Sequence, residues 1–82
     1  MKTREEILPA ITEVLQKVFS EPELQVTSDT SAADIDKWTS LTHIELIAEV
    51  EKKFSIRIPL KDVVRMKNVG ELADCVKKLI TL

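Results

Sequence analysis

Apolar residues along the chain fall into three helical stripes separated by polar stretches. Over residues 3–19, Ile7, Leu8, Ile11, Val14, Leu15, Val18 and Phe19 recur at steps of three and four, which predicts a helix with one apolar face. Thr3 and Glu6 have the spacing of a capping box at its start. Pro9 lies past the first turn and removes a main-chain hydrogen bond, so the helix is expected to kink there or to start later. A second stripe covers residues 40–54. At about 100° per residue, Leu41, Ile44, Leu46, Ile47, Ala48, Val50 and Phe54 spread over more than half of the circumference. Thr42, Glu45, Glu49, Lys52 and Lys53 share the remaining arc. A helix apolar over that width is expected to be central and to touch several neighbours. The third stripe, Val69, Leu72, Ala73, Val76, Leu79 and Ile80, follows Asn68 and Glu71, which are spaced as an N-cap and its capping-box partner.

The intervening segments have no helical period. Residues 20–39 are rich in turn formers, among them Ser20, Pro22, Thr27, Ser28, Asp29, Thr30 and Ser31, whose side chains compete with the backbone for hydrogen bonds. A loop of that length is unusual in a compact domain, so Leu24, Val26, Ile35 and Trp38 are expected to pin it. A single helical turn is expected around Ser31 to Asp34. In F-S-I-R-I-P the alternation of Phe54, Ile56 and Ile58 resembles a strand, but one short strand has no partner here. An extended connector closing one end of the core is the prediction. Pro59 then preorganises a short third helix, Leu60 to Met66. Three long amphipathic helices and a short one define an all-α four-helix bundle, a single domain over residues 1–82.

Composition narrows the function classes. With 44% apolar and 32% charged residues, one Gly and three Pro, the chain is too apolar for disorder and too poor in turn residues for an all-β fold. A net charge of −2 argues against nucleic acid, since neutralising phosphates needs a basic surplus. One Cys excludes an internal disulfide and a multi-Cys metal site and fits a reducing compartment. M-K-T-R-E-E lacks the apolar core of a signal peptide, and no apolar run is long enough to span a bilayer. A cytoplasmic monomer without membrane contact is expected.

Candidate chemistry centres on Ser40, where the second helix should begin. On local grounds Ser is a favoured N-cap, its oxygen accepting a bond from an amide one turn on. The same position offers free amides and the positive end of the helix dipole, which suits an attached phosphate. Catalysis finds little support. His43 lies three residues from Ser40 on the apolar arc, where a packed or half-exposed edge residue is expected, and a hydrolytic triad also needs a buried orienting acid. One His and one Cys make no zinc set, and one Gly makes no phosphate loop. Cys75 reads as a core-edge hydrophobe, and Gly70 as a point of close backbone approach. Glu45 and Glu49 stand one turn apart on the polar arc. Spacing alone favours a solvated face with Glu49 paired to Lys52 or Lys53; the sharper reading is an acidic strip that steers basic partners.

At S-L-T-H-I-E-L-I-A-E-V-E-K-K-F-S-I-R-I the sequence resembles the acyl carrier protein family, including the peptidyl and aminoacyl carriers. That family's Asp-Ser-Leu triplet, aliphatic-Glu-Leu step and Glu-x-x-Phe with alternating Ile correspond to Thr39-Ser40-Leu41, Ile44-Glu45-Leu46, and Glu51 through Phe54, Ile56 and Ile58. The D-I-D-K-W lead-in and the N-V-G-E-L start of the last helix are similar too, and the match covers nearly the whole chain. The resemblance implies that Ser40 receives 4′-phosphopantetheine from coenzyme A through a phosphopantetheinyl transferase. The arm's thiol then carries acyl or aminoacyl groups for loading ligases, synthases and transferases. Partner docking falls, by the same resemblance, on Thr39, Leu41, Thr42, Glu45 and Glu49, and the core is implied as a shelter for an acyl chain. No catalytic residue and no metal ligand is assigned. Thr39 departs from the family's Asp and removes a negative charge beside the modified hydroxyl, which predicts slower or more selective modification, with Asp34 and Asp36 as nearby substitutes. The mildness of the net charge points to a specialised pathway carrier. The competing expectation is a carrier-like helical domain that binds partner proteins and is never modified. A small helical nucleic-acid binder, whose affinity would fall steeply with salt, ranks last.

Overall fold

Four α-helices and one 3₁₀ turn make up the chain in the computed structural model, which describes residues 4–66 and 68–80. Helix α1 spans Arg4–Val18, α2 Ser40–Phe54, α3 Leu60–Val63 and α4 Val69–Ile80, and the 3₁₀ turn covers Ala32–Asp34. Among the described residues no strand forms; one isolated antiparallel bridge joins Ser31 to Asn68. The all-α expectation and the extended connector after α2 both hold. The Thr3–Glu6 capping box lies outside the described residues.

α1 begins at Arg4, ahead of Pro9, so the proline sits inside the helix rather than delaying its start. Its stripe buries Ile7, Ile11, Val14, Leu15 and, just past the end, Phe19. These meet Leu46, Ile47 and Val50 of α2 and Val69, Leu72, Ala73 and Val76 of α4 in one core. The main helix packing joins α1 to α2 and α1 to α4. The packing hub is therefore α1, not α2 as the width of the α2 stripe suggested. That stripe splits: Leu46, Ile47 and Val50 are buried, while Leu41 is 73% and Ile44 62% exposed.

Serines terminate the two long helices. Ser20 after α1 and Ser55 after α2 both take a left-handed φ of 55°. Glu21 N–H then reaches back to the Gln16 carbonyl at 2.9 Å, and Ile56 N–H to that of Glu51 at 3.0 Å, each satisfying an end carbonyl. Beyond α2, the Glu51 carboxylate accepts the Ile58 N–H at 2.7 Å and turns the connector back under the helix, with Ile58 buried.

α3 is one turn, shorter than the expected Leu60 to Met66. Pro59 is its N-cap (φ −59°, ψ 144°), outside the helix rather than in its first position. The chain must leave α3 early to reach Asn68, whose Oδ1 accepts the Glu71 N–H at 2.8 Å and caps α4. The long loop supplies the other end of that arrangement. Thr30 and Ser28 carbonyls accept the Val69 and Gly70 amides, both at 2.8 Å, so the loop satisfies orphan donors of α4. Gly70 is buried against it, as close approach requires. Ile35 and Trp38 anchor the loop in the core, with Leu24 and Val26 packed on its edge. Gln16 also donates to the Leu24 carbonyl at 2.9 Å. No helix among the described residues is long and apolar enough to cross a membrane.

Candidate functional site

The head of α2 is built on Thr39, not Ser40. Thr39 has an extended backbone (φ −105°, ψ 175°), and its hydroxyl accepts the Thr42 N–H at 3.2 Å. The Thr42 hydroxyl accepts the Thr39 N–H at 2.7 Å and donates to the Lys37 carbonyl at 2.6 Å. Two threonines thus form a reciprocal capping box where Glu or Gln is the usual second member. The expectation that Ser40 caps the helix is corrected by this geometry. Ser40 is the first helical residue, it is exposed, and among the described residues no hydrogen bond engages its hydroxyl. A residue already in helical φ/ψ cannot fold its oxygen back onto an amide one turn on as a true cap does.

The segment before Ser40 is fixed from below. Trp38 is 7% exposed and packs on Phe19, ring centroids 6.0 Å apart. Its indole N–H donates to His43 Nδ1 at 3.0 Å, and His43 Nε2 lies 2.9 Å from the Val63 carbonyl of α3. Lys37 donates to the Phe19 carbonyl at 3.1 Å, tying the same segment to the end of α1. His43, expected as an edge residue, is half-buried and held at both nitrogens.

Around Ser40 the charge is sparse. The first turn of α2 carries no acidic residue. Asp34 does not substitute for the missing Asp, because its carboxylate accepts the Ser31 N–H at 2.9 Å and closes the capping box of the 3₁₀ turn. Asp36 is exposed. Along α2, Glu45 is exposed, whereas Glu49 bridges to Lys17 of α1 at 2.7 Å and to Lys52 at 3.5 Å. Lys53 pairs with Glu13 of α1 at 3.4 Å instead. The Lys17 ammonium, by hydrogen bond and charge, holds the Glu49 carboxyl below its ordinary value. Two adjacent cations therefore neutralise Glu49, and the free acid of the strip is Glu45.

Among the described residues four large apolar side chains stand exposed: Leu41 and Ile44 on α2, Leu60 (75%) at the start of α3 and Val64 (74%) just after it. The exposure of Ile44, Leu60 and Val64 was not read from sequence, because period alone assigns an apolar position to a face without saying what covers that face. The core itself is filled. Leu46, Val50, Val69, Leu72 and Val76 are at most 1% exposed. An open groove beside α3 and α4 is bordered by Asp62, Arg65 and Asp74, with Met66 and Cys75 in its wall. Burial pushes the Cys75 thiol up from its ordinary value, and the Asp62 carboxylate adds to that.

Comparison with known proteins places this geometry. A family model described as a phosphopantetheine attachment site matches residues 9–76. The acyl carrier protein of Acidothermus cellulolyticus is 33% identical over 72 residues, covering 88% of this chain and 86% of that protein. The meromycolate extension acyl carrier protein of Mycobacterium leprae is 29% identical over 77 residues, 94% of this chain and 67% of that protein. In structure, the chain is similar to the holo acyl carrier protein of Geobacter metallireducens determined in solution by NMR. The TM-score is 0.85 at 40% identity, over 92% of this chain and 86% of that one.

Proposed function

Because the chain belongs to the acyl carrier protein family, with its phosphopantetheine attachment domain, we propose that Ser40 is the residue that bears the 4′-phosphopantetheine arm. The protein is a carrier and not an enzyme; the covalent arm supplies a thiol on which acyl intermediates ride as thioesters. One observation supports Ser40 above all: an exposed hydroxyl at the first residue of α2, freed because Thr39 does the capping. A phosphodiester placed there would meet the unpaired amides of the first helical turn and the positive end of its dipole.

The chain's own residues divide the remaining work. Thr39 and Thr42 hold the helix start in place, which fixes the main chain that carries Ser40. Leu41, the next residue, and Glu45, more than a turn further along α2, are both exposed and are the primary docking contacts, one apolar and one anionic. Glu49 belongs to the same surface, but its ion pairs with Lys17 and Lys52 must loosen for it to meet a partner's cation. Carriers of this family work with biosynthetic enzymes. For this chain the partners are a phosphopantetheinyl transferase and the ligases, synthases or transferases that load and unload acyl or aminoacyl groups, in the cytoplasm. The filled core means that an acyl chain held inside requires helices to part.

A second reading draws on the uncharged first turn of α2. Without an acid beside Ser40, a basic transferase finds less to grip, and a domain that binds partners without ever being modified is the alternative. Intact mass separates the two. Protein incubated with coenzyme A and a broad-range transferase gains one phosphopantetheine under the first reading, and Ser40→Ala gains none. Protein recovered from its own cell entirely in the unmodified form, and inert to the transferase, supports the second.

A further inference from the structure

The head of α2 is joined to α3 through one side chain, His43. Its ring sits between two groups that select its tautomer. The Trp38 indole N–H only donates, so Nδ1 must present its lone pair. The Val63 carbonyl only accepts, so Nε2 must carry the hydrogen. One neutral tautomer satisfies both, and the imidazole lies edge to edge with the indole, centroids 6.1 Å apart and planes 24° off parallel, as an in-plane N–H···N bond requires. The two partners lie on different elements. Trp38 is two residues before Ser40, in the loop anchored on Phe19, and Val63 is the one buried residue of single-turn α3. His43 itself is three residues after Ser40, on α2.

Resting on the reading of Ser40 as the attachment residue, we propose that His43 is a positioning residue for that hydroxyl, a latch that locks the Trp38 segment, the first turn of α2 and α3 into one unit. Ser40 lies between the latched positions, and its own side chain makes no hydrogen bond among the described residues. Its placement therefore depends on the main chain on either side. The Thr39–Thr42 box fixes the helix start locally; the latch fixes that start relative to the core and to α3. Without it, the indole N–H loses its acceptor and α3 loses this hydrogen bond to α2. The Ser40 hydroxyl then samples a wider range of positions, and group transfer to it slows in the chemical step more than in encounter.

The test uses His43→Phe, which keeps an aromatic ring and removes both hydrogen bonds. His43→Asn offers an acceptor near Nδ1, and His43→Gln a donor near Nε2. Transfer kinetics with coenzyme A and a broad-range phosphopantetheinyl transferase are read beside the indole N–H resonance of Trp38, the only tryptophan. At a temperature where every variant is folded, His43→Phe is expected to lose about tenfold in kcat with KM little changed. Its indole resonance should move to the position of a non-bonded N–H. His43→Asn is expected to restore the indole resonance and most of the rate, and His43→Gln less of both. Full transfer by folded His43→Phe overturns the proposal, as does an indole resonance that ignores the substitution. Should His43→Phe not fold, His43→Asn and His43→Gln decide it: equal rates and equal indole positions in the two refute the latch. A wild-type chain that accepts no group at all refutes Ser40 as the attachment residue instead, and the indole resonances of the unmodified proteins then decide whether the latch exists.

Discussion

Thr39→Ala and Ser40→Ala change neighbouring hydroxyls, yet the geometry assigns them opposite consequences. Thr39 Oγ1 accepts the Thr42 N–H at 3.2 Å, and removing it leaves an end amide of α2 to water. Loss of an N-cap of this kind costs about 1 kcal/mol, which in a domain of this size lowers Tm by roughly 4–8 °C. The reverse leg of the box, from the Thr39 N–H to the Thr42 hydroxyl, survives the substitution and keeps the loss at that level rather than above it. Ser40 is already helical and its hydroxyl holds nothing, so Ser40→Ala removes no bond and brings in the better helix former. The change should lie within about 0.5 kcal/mol of zero. Thr39→Asp keeps an acceptor and adds a negative charge at the positive end of the dipole, worth about 0.3–1 kcal/mol. Thermal unfolding followed by circular dichroism should therefore rank Thr39→Asp at or above wild type, Ser40→Ala beside it and Thr39→Ala clearly below. A Ser40→Ala protein that melts as low as Thr39→Ala would refute the reasoning, because Ser40 would then be the cap and its hydroxyl would not be free.

Other substitutions probe the packing and charge behind the site. Leu46→Ala, at a fully buried position, should cost about 2–5 kcal/mol in urea unfolding. Total stability for this length is about 4–12 kcal/mol, so a loss under 1 kcal/mol would show that the core is not packed as described. The Glu49 carboxyl is lowered from 4.5 by Lys17 and Lys52, so its contribution to stability is present above that value and fades as pH falls through the lower folded one. Glu49→Gln should thus melt below wild type at neutral pH and converge with it in acid; a gap unchanged by pH would contradict the Lys17 bridge. Cys75 is half-buried with its thiol pushed up, so iodoacetamide should label it slowly at neutral pH until the protein unfolds. Labelling of the folded, unmodified protein at the unfolded rate would place Cys75 on the open surface instead.

Hydrophobic period located the three long helices, because a buried stripe imposes its repeat on the sequence whatever the partner helix is; the one-turn α3 is too short to show a period and was read from Pro59 instead. It did not show which side of a broad stripe faces the core. Leu41 and Ile44 fell on the same arc as Leu46 and Val50, and only the placement of α1 and α4 leaves them exposed. The cap was misassigned for a related reason. Thr39, Ser40 and Thr42 are all hydroxyl residues suited to a helix start, and the choice among them depends on the backbone of Thr39, which the Trp38 anchor sets. The Trp38–His43–Val63 chain left no trace in the sequence, since it joins three elements across 25 positions. Glu49 illustrates charge in the same way. Its local partner Lys52 was legible from helical spacing, but Lys17 reaches it from α1, 32 residues away.

The central claim is that Ser40 carries the arm, and site-resolved mass spectrometry tests it most directly. Wild type, Thr39→Asp and Ser40→Ala are incubated with coenzyme A and a broad-range phosphopantetheinyl transferase, then weighed intact and mapped by peptide. Wild type should gain one phosphopantetheine on the peptide containing Ser40, Thr39→Asp should gain the same group faster, and Ser40→Ala should gain none. An adduct that persists in Ser40→Ala, or a wild-type chain that stays at its unmodified mass while Thr39→Asp does too, would contradict that claim.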